Sequence, residues 1–111
     1  MNNEARKRLK DISDACAAAG RFAAGKDFSA YLKDDMLRAA VERKLEIIGE
    51  AFVKLEDADP AVTGRFPELR KIVGLRNRII HGYDTVDEEL IWDVVKNKLP
   101  ALQQQVESIL E

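Results

Sequence analysis

Apolar residues along this chain recur at intervals of three and four and do not alternate, the period of helices packed on one side. A first stripe, Leu9, Ile12, Cys16, Ala19 and Ala23, predicts a helix over about residues 4 to 24, with Gly25 as its C-terminal stop. A second stripe, Leu37, Val41, Leu45, Ile48, Phe52 and Leu55, predicts a helix from about Ser29 to Glu56. At the usual rise per residue that helix would be about 40 Å long. The stretch ADPAVTGRFP then breaks the pattern, because Pro60 and Gly64 disfavour a helix interior and Pro67 suits a first turn. A third helix is expected over about Pro67 to Ile80, ending at Gly82. The fourth begins near Thr85 or Asp87, where Thr85 and Glu88 have capping-box spacing and Glu88 and Glu89 favour the positive end of the helix dipole. Its stripe is Trp92, Val95, Leu99, Leu102, Val106 and Ile109, and Pro100 predicts a kink between about Lys96 and Pro100. No strand pattern competes. The expected fold is all-α, a single domain over residues 1–111 built as an up-and-down four-helix bundle.

Composition narrows this reading. At 111 residues and 46 % apolar content, the chain can bury one compact core without crosslinks. Its lone Cys16 cannot form an internal disulfide, and with one histidine there is no Cys/His cluster for a structural zinc; no metal and no cofactor are expected. The charged N-terminus and the lack of an apolar run near 18 residues predict a cytoplasmic chain with no membrane partner.

Net charge is only −2, but it is unevenly spread. From Arg65 to Tyr83, five basic residues (Arg65, Arg70, Lys71, Arg76 and Arg78) face one acid, Glu68; from Asp84 onward, seven acids face Lys96 and Lys98. The basic excess falls on the segment that carries the one histidine. Taken on charge alone, such a segment is better explained by a solvated helix face.

That segment reads GLRNRIIHGYD. On a helix, Asn77 and His81 lie one turn apart on one face, so Asn77 can orient the imidazole. Arg76 and His81 are five positions apart, about 140° around the axis, and one straight helix does not aim both at one atom. Either the helix end unwinds at Gly82, or a two-fold axis sets the same helix of a second copy opposite. The second option also supplies two histidines. Paired imidazoles and guanidiniums suit cleavage of an RNA phosphodiester, in which a base takes the 2'-hydroxyl proton, an acid protonates the leaving oxygen and cations stabilise the charged phosphorus centre. Arg65, Arg70, Lys71 and Arg78 would then hold flanking phosphates. Against this stands the plain reading of His81 as a structural residue favoured by the helix C-terminus, and of Tyr83 as a loop anchor.

The order of residues settles more than their spacing. Arg76-Asn-Arg-Ile-Ile-His81-Gly-Tyr83 resembles the R-x4-H-x-Y signature of the HEPN superfamily and, in detail, of the HepT-like toxins. The likeness extends through AAVERKLEIIGEAF (39–52), FPELRKIVGLRNRIIHGYDTVD (66–87) and ELIWDVVKNKLPAL (89–102); the region 57–66 has no matching feature. The resemblance implies a HEPN-like helical homodimer whose two motifs meet in a cleft and act as a metal-independent endoribonuclease. It also implies the toxin half of a type VII-like toxin–antitoxin system, silenced when a minimal nucleotidyltransferase antitoxin moves AMP from ATP onto the motif tyrosine. Carried over, Arg76 and His81 are catalytic, Asn77 supports the active site and Tyr83 is the AMP-modification site. A non-catalytic HEPN dimer that binds a nucleotidyltransferase or nucleotides is the alternative.

Overall fold

A computed structural model of the protein describes residues 1–82 and 86–111, with the backbone alone at 69 and 70. Its helices are α1 (Asn3–Ala23), α2 (Phe28–Lys33), α3 (Asp35–Ala58), α4 (Pro60–Thr63), α5 (Leu69–His81), α6 (Glu88–Asp93) and α7 (Leu99–Leu110), with a π-helical turn, Val94–Lys98, joining α6 to α7. Among the described residues there is no strand.

The all-α expectation holds, and the first helix keeps its expected span. α1 is capped by Asn2, whose side chain accepts the Ala5 N–H at 2.8 Å. It ends before Gly25, which sits at φ +72, the left-handed region that favours glycine. Each expected stripe residue of α1 and α3 is buried. Asn2 Nδ2 reaches the Ala58 carbonyl, Ser13 Oγ reaches Glu107, and Lys96 Nζ donates to Ala23 O at 3.2 Å. These contacts make α1 antiparallel both to α3 and to α7. α5 packs on the other flank of α3, also antiparallel, since Phe66 meets Phe52 while Arg76 meets Glu50.

Two expectations need correction. The helix expected over Ser29 to Glu56 is two helices, α2 and α3, divided at Asp34. Asp34 is extended (φ −111, ψ 97), and its carboxylate accepts the Leu37 N–H at 3.0 Å. A side chain that caps a new helix replaces the backbone bonds a continuous helix would have made there. The third helix begins at Leu69, two residues after Pro67. At Pro100 the irregularity expected between about Lys96 and Pro100 takes the form of a π turn over Val94–Lys98, in which Leu99 N–H bonds back to Val94 O and the N–H that proline lacks is not needed. Asp87, one of the two expected starts, caps α6 by accepting the Leu90 N–H at 3.1 Å; Thr85 lies outside the described residues.

The turn-and-helix segment α2 closes one end of the bundle. Tyr31 is fully buried, its ring 4.8 Å from that of Trp92, and its hydroxyl donates to Glu88 Oε2 at 2.6 Å. Lys96 stacks on Trp92, 5.0 Å from the ring centroid, while it caps the C-terminus of α1. Cys16 is buried between the long helices, and burial, helped by the charge of Glu107, pushes its thiol up to about 12. It behaves as a small core residue and not as a nucleophile.

Candidate active site

The basic segment folds as α5 because its apolar residues fall on one face: Leu75 and Ile79 are buried and Ile72 is half-buried against the core. The polar residues are left to the other faces, and Arg78 and His81 occupy the last turn, where cations complement the helix dipole. The helix stays regular through His81, and Gly82 N–H bonds back to Arg78 O at 2.9 Å. Unwinding ahead of Gly82, one of the two ways to bring Arg76 and His81 together, is therefore not used within the chain.

Arg76 lies along α3. Its stem crosses the buried Gly49, and a Cβ added at 49 would stand 2.4 Å from Arg76 Cβ and 2.8 Å from Cγ. The guanidinium ion-pairs with Glu50 through Nη2 and donates through Nη1 to Asn77 Oδ1 at 2.7 Å. Its Nε is buried with no hydrogen-bond partner among the described residues. Asn77 thus engages Arg76 in this structure, whereas spacing alone suggested it would orient His81. The imidazole of His81 is exposed at the helix end. Next to it in the chain, Ile80 is 41 % exposed.

The other expected residues are divided. Lys71 and Arg78, seven positions apart and so on one face, line a groove of about 610 Å³ between α5 and the α6–α7 arm, on a different side of α5 from Arg76. Lys71 is also 3.5 Å from Glu68. Arg65 is exposed in the turn after α4. Tyr83 and the side chain of Arg70 lie outside the described residues. Among the described residues no group of three His, Cys, Asp or Glu side chains is arranged to hold a metal ion. No helix of the described residues is long and apolar enough to cross a membrane.

Gly49 and Glu50 are the site residues that sequence reasoning missed. One signal was present: a glycine in the interior of a strong helical pattern costs about 1 kcal/mol relative to alanine and usually marks a close approach.

With an arginine and a histidine held at the surface end of one bundle helix, the family can be decided. A model of the HepT-like ribonuclease family matches residues 12–109. The chain belongs to that family. It is 34 % identical over 103 residues to a "Putative RNase" of Methanocaldococcus jannaschii, covering 91 % of this chain and 92 % of that protein. It is 33 % identical over 106 residues to a "Putative RNase" of Caldanaerobacter subterraneus, covering 96 % and 94 %. A "Probable ribonuclease HepT" of Thermococcus cleftensis is 30 % identical over 109 residues, covering 98 % of each chain. No solved structure matches this HepT-like chain. The all-α bundle agrees with the family assignment, and the matched span contains every helix of the bundle except the first turns of α1 and the last residue of α7.

Proposed function

We propose that this HepT-like protein is a metal-independent endoribonuclease, the toxin of a toxin–antitoxin pair, acting as a homodimer through Arg76 and His81. The observation that carries the reading is the exposed imidazole of His81 on the same helix as a guanidinium held at the surface, in a chain of the HepT-like ribonuclease family. The names of its relatives point the same way.

Because α5 is regular through His81, the two groups diverge by about 140° on one helix, and the pairing of a base with an acid needs a second copy. Ile80, apolar and exposed within the motif, suits such a contact. In the cleft between two copies one imidazole takes the proton of the substrate's 2'-hydroxyl as that oxygen attacks phosphorus. The other imidazole protonates the departing 5'-oxygen as the P–O bond breaks, leaving a 2',3'-cyclic phosphate and a 5'-hydroxyl. Arg76 from each copy stabilises the extra negative charge on the phosphoryl oxygens. Arg65, Arg70, Lys71 and Arg78 contribute salt-sensitive contacts to flanking phosphates. A partner nucleotidyltransferase silences the enzyme: the Tyr83 phenol oxygen attacks the α-phosphorus of ATP, pyrophosphate leaves, and AMP two residues from His81 repels RNA.

Cleavage of an RNA oligonucleotide in excess chelator tests the reading, with His81→Ala and Arg76→Ala each expected to lower the rate at least about a hundredfold. Undiminished cleavage by both variants would overturn it. For the silencing step, co-expression with the nucleotidyltransferase should add about 329 Da per modification, as expected for an adenylyl group. Tyr83→Phe should abolish that increment.

A further inference from the structure

An arginine side chain has enough rotatable bonds that holding its guanidinium at one place costs about 2 kcal/mol of rotamer freedom. Arg76 is held at both ends. Its first carbons lie where a side chain at residue 49 would otherwise be, and its terminal nitrogens are taken by Glu50 and Asn77. We propose that Gly49 and Glu50 of α3 form a cradle that positions the Arg76 guanidinium for phosphate, a role that rests on the proposed ribonuclease reading.

The stem contact is made by Cβ and Cγ, which are fixed by the α5 backbone and cannot swing aside as a flexible tip would. Glycine at 49 therefore sets how closely α5 lies on α3 and where the arginine leaves the interface. Glu50, the next residue, lies where the guanidinium emerges. Each terminal nitrogen of an arginine carries two N–H groups. After Glu50 and Asn77 have each accepted one, one N–H remains on each terminal nitrogen, the number that a bidentate phosphate contact uses. The buried Nε, which has no partner among the described residues, is an electrostatic cost that packing alone would not select, and such costs gather at functional sites. The side chain of Glu50 is 47 % exposed and that of Arg76 is 23 % exposed, so the pair is open to a ligand and is not a core ion pair.

A carboxylate beside the guanidinium weakens its long-range pull on RNA while fixing its direction. The cradle therefore acts on turnover more than on affinity. For Glu50→Ala, kcat on an RNA oligonucleotide should fall about 10- to 100-fold while KM stays within about threefold or decreases. Glu50→Gln, which keeps an acceptor oxygen, should stay within about fivefold of the parent. The side-chain nitrogen resonances of Arg76, distinct in the parent because rotation is restricted, should merge in Glu50→Ala and remain distinct in Glu50→Gln. Cleavage by Glu50→Ala as fast as or faster than the parent, or unchanged Arg76 resonances, would overturn the cradle. If the parent protein itself fails to cleave RNA, the ribonuclease reading falls, and the Arg76 resonances alone decide whether Glu50 holds the side chain. Gly49→Ala should shift the same resonances; should that variant not fold, the two Glu50 variants still decide.

Discussion

Two carboxylates in this bundle each tie one helix to another, and they do opposite things with the tie. Glu88, at the start of α6, accepts the hydroxyl of Tyr31 inside an aromatic cluster with Trp92 and Phe28, and that tyrosine has no exposed surface. Glu50, midway along α3, accepts from Arg76 at the protein surface, in a pair that leaves donors unspent. In the first case the bond completes the burial of a large ring and its energy goes into closing the bundle. In the second the carboxylate is about half exposed, so the pair's contribution to stability is small, about 1 kcal/mol, and what it offers is direction. A carboxylate bridging two helices thus marks structure where the donor is consumed and a site where the donor remains available.

The sharpest way to break this contrast is at its buried end. Tyr31→Ala removes a fully buried ring and its hydrogen bond, and should destabilise the protein by about 3–5 kcal/mol in urea denaturation. Tyr31→Phe isolates the hydrogen bond and should cost about 1–2 kcal/mol, because Glu88 then loses a partner in a partly buried place. Glu50→Ala should move the same midpoint by under about 1 kcal/mol. Comparable losses for Tyr31→Phe and Glu50→Ala would erase the distinction between the two ties.

Two glycines sharpen the comparison further. Gly20 and Gly49 both lie in long helices, but a Cβ at Gly20 meets nothing within 4 Å while one at Gly49 runs into the Arg76 stem. Gly20→Ala should therefore stabilise by about 0.5–1 kcal/mol through helix propensity and reduced unfolded-state entropy. For Gly49→Ala the same gain is outweighed by overpacking, and a net loss of about 1–2 kcal/mol is expected. Equal signs for the two substitutions, measured by thermal melting, would mean that α5 can move off α3 at little cost.

The same division explains what could be read in the chain beforehand. Stripes at three and four reveal α1, α3 and α7 because each such helix is ordered by its own apolar face. The R-x4-H-x-Y segment is legible because its members lie within eight residues on or beside one helix. The break at Asp34 was within reach: an aspartate three residues before Leu37 is a capping signal, but the continuing apolar period hid it. What Glu50 does was not within reach, since it depends on a residue 26 positions later and on how closely two helices approach. Likewise the separation of Lys71 and Arg78 from Arg76 follows from which faces of α5 the core leaves open, which a count of basic residues in the segment does not register.

The smallest expected effect concerns the acid pair at the buried tie. Burial holds the Glu42 carboxyl above its usual range, with further contributions from the charge of Glu88 and a hydrogen bond to it, from the charge of Glu46, and an opposing one from Arg38. A carboxyl whose folded value is raised favours its protonated form in the fold. Its contribution to stability is complete below the ordinary value near pH 4.5 and is lost as pH rises through the folded value. Above that window Glu42 and Glu88 are both charged and repel across the α3–α6 contact. Glu42→Gln is neutral at every pH and escapes the loss. Its melting temperature should exceed the parent's by about 1–3 °C at pH 8, a modest gain because the group is partly solvated, and the difference should shrink to nothing by about pH 4. A difference that stays constant across that range would assign the gain to the amide's hydrogen bonding, and the charge of Glu42 would then play no part beside the buried tie between α2 and α6.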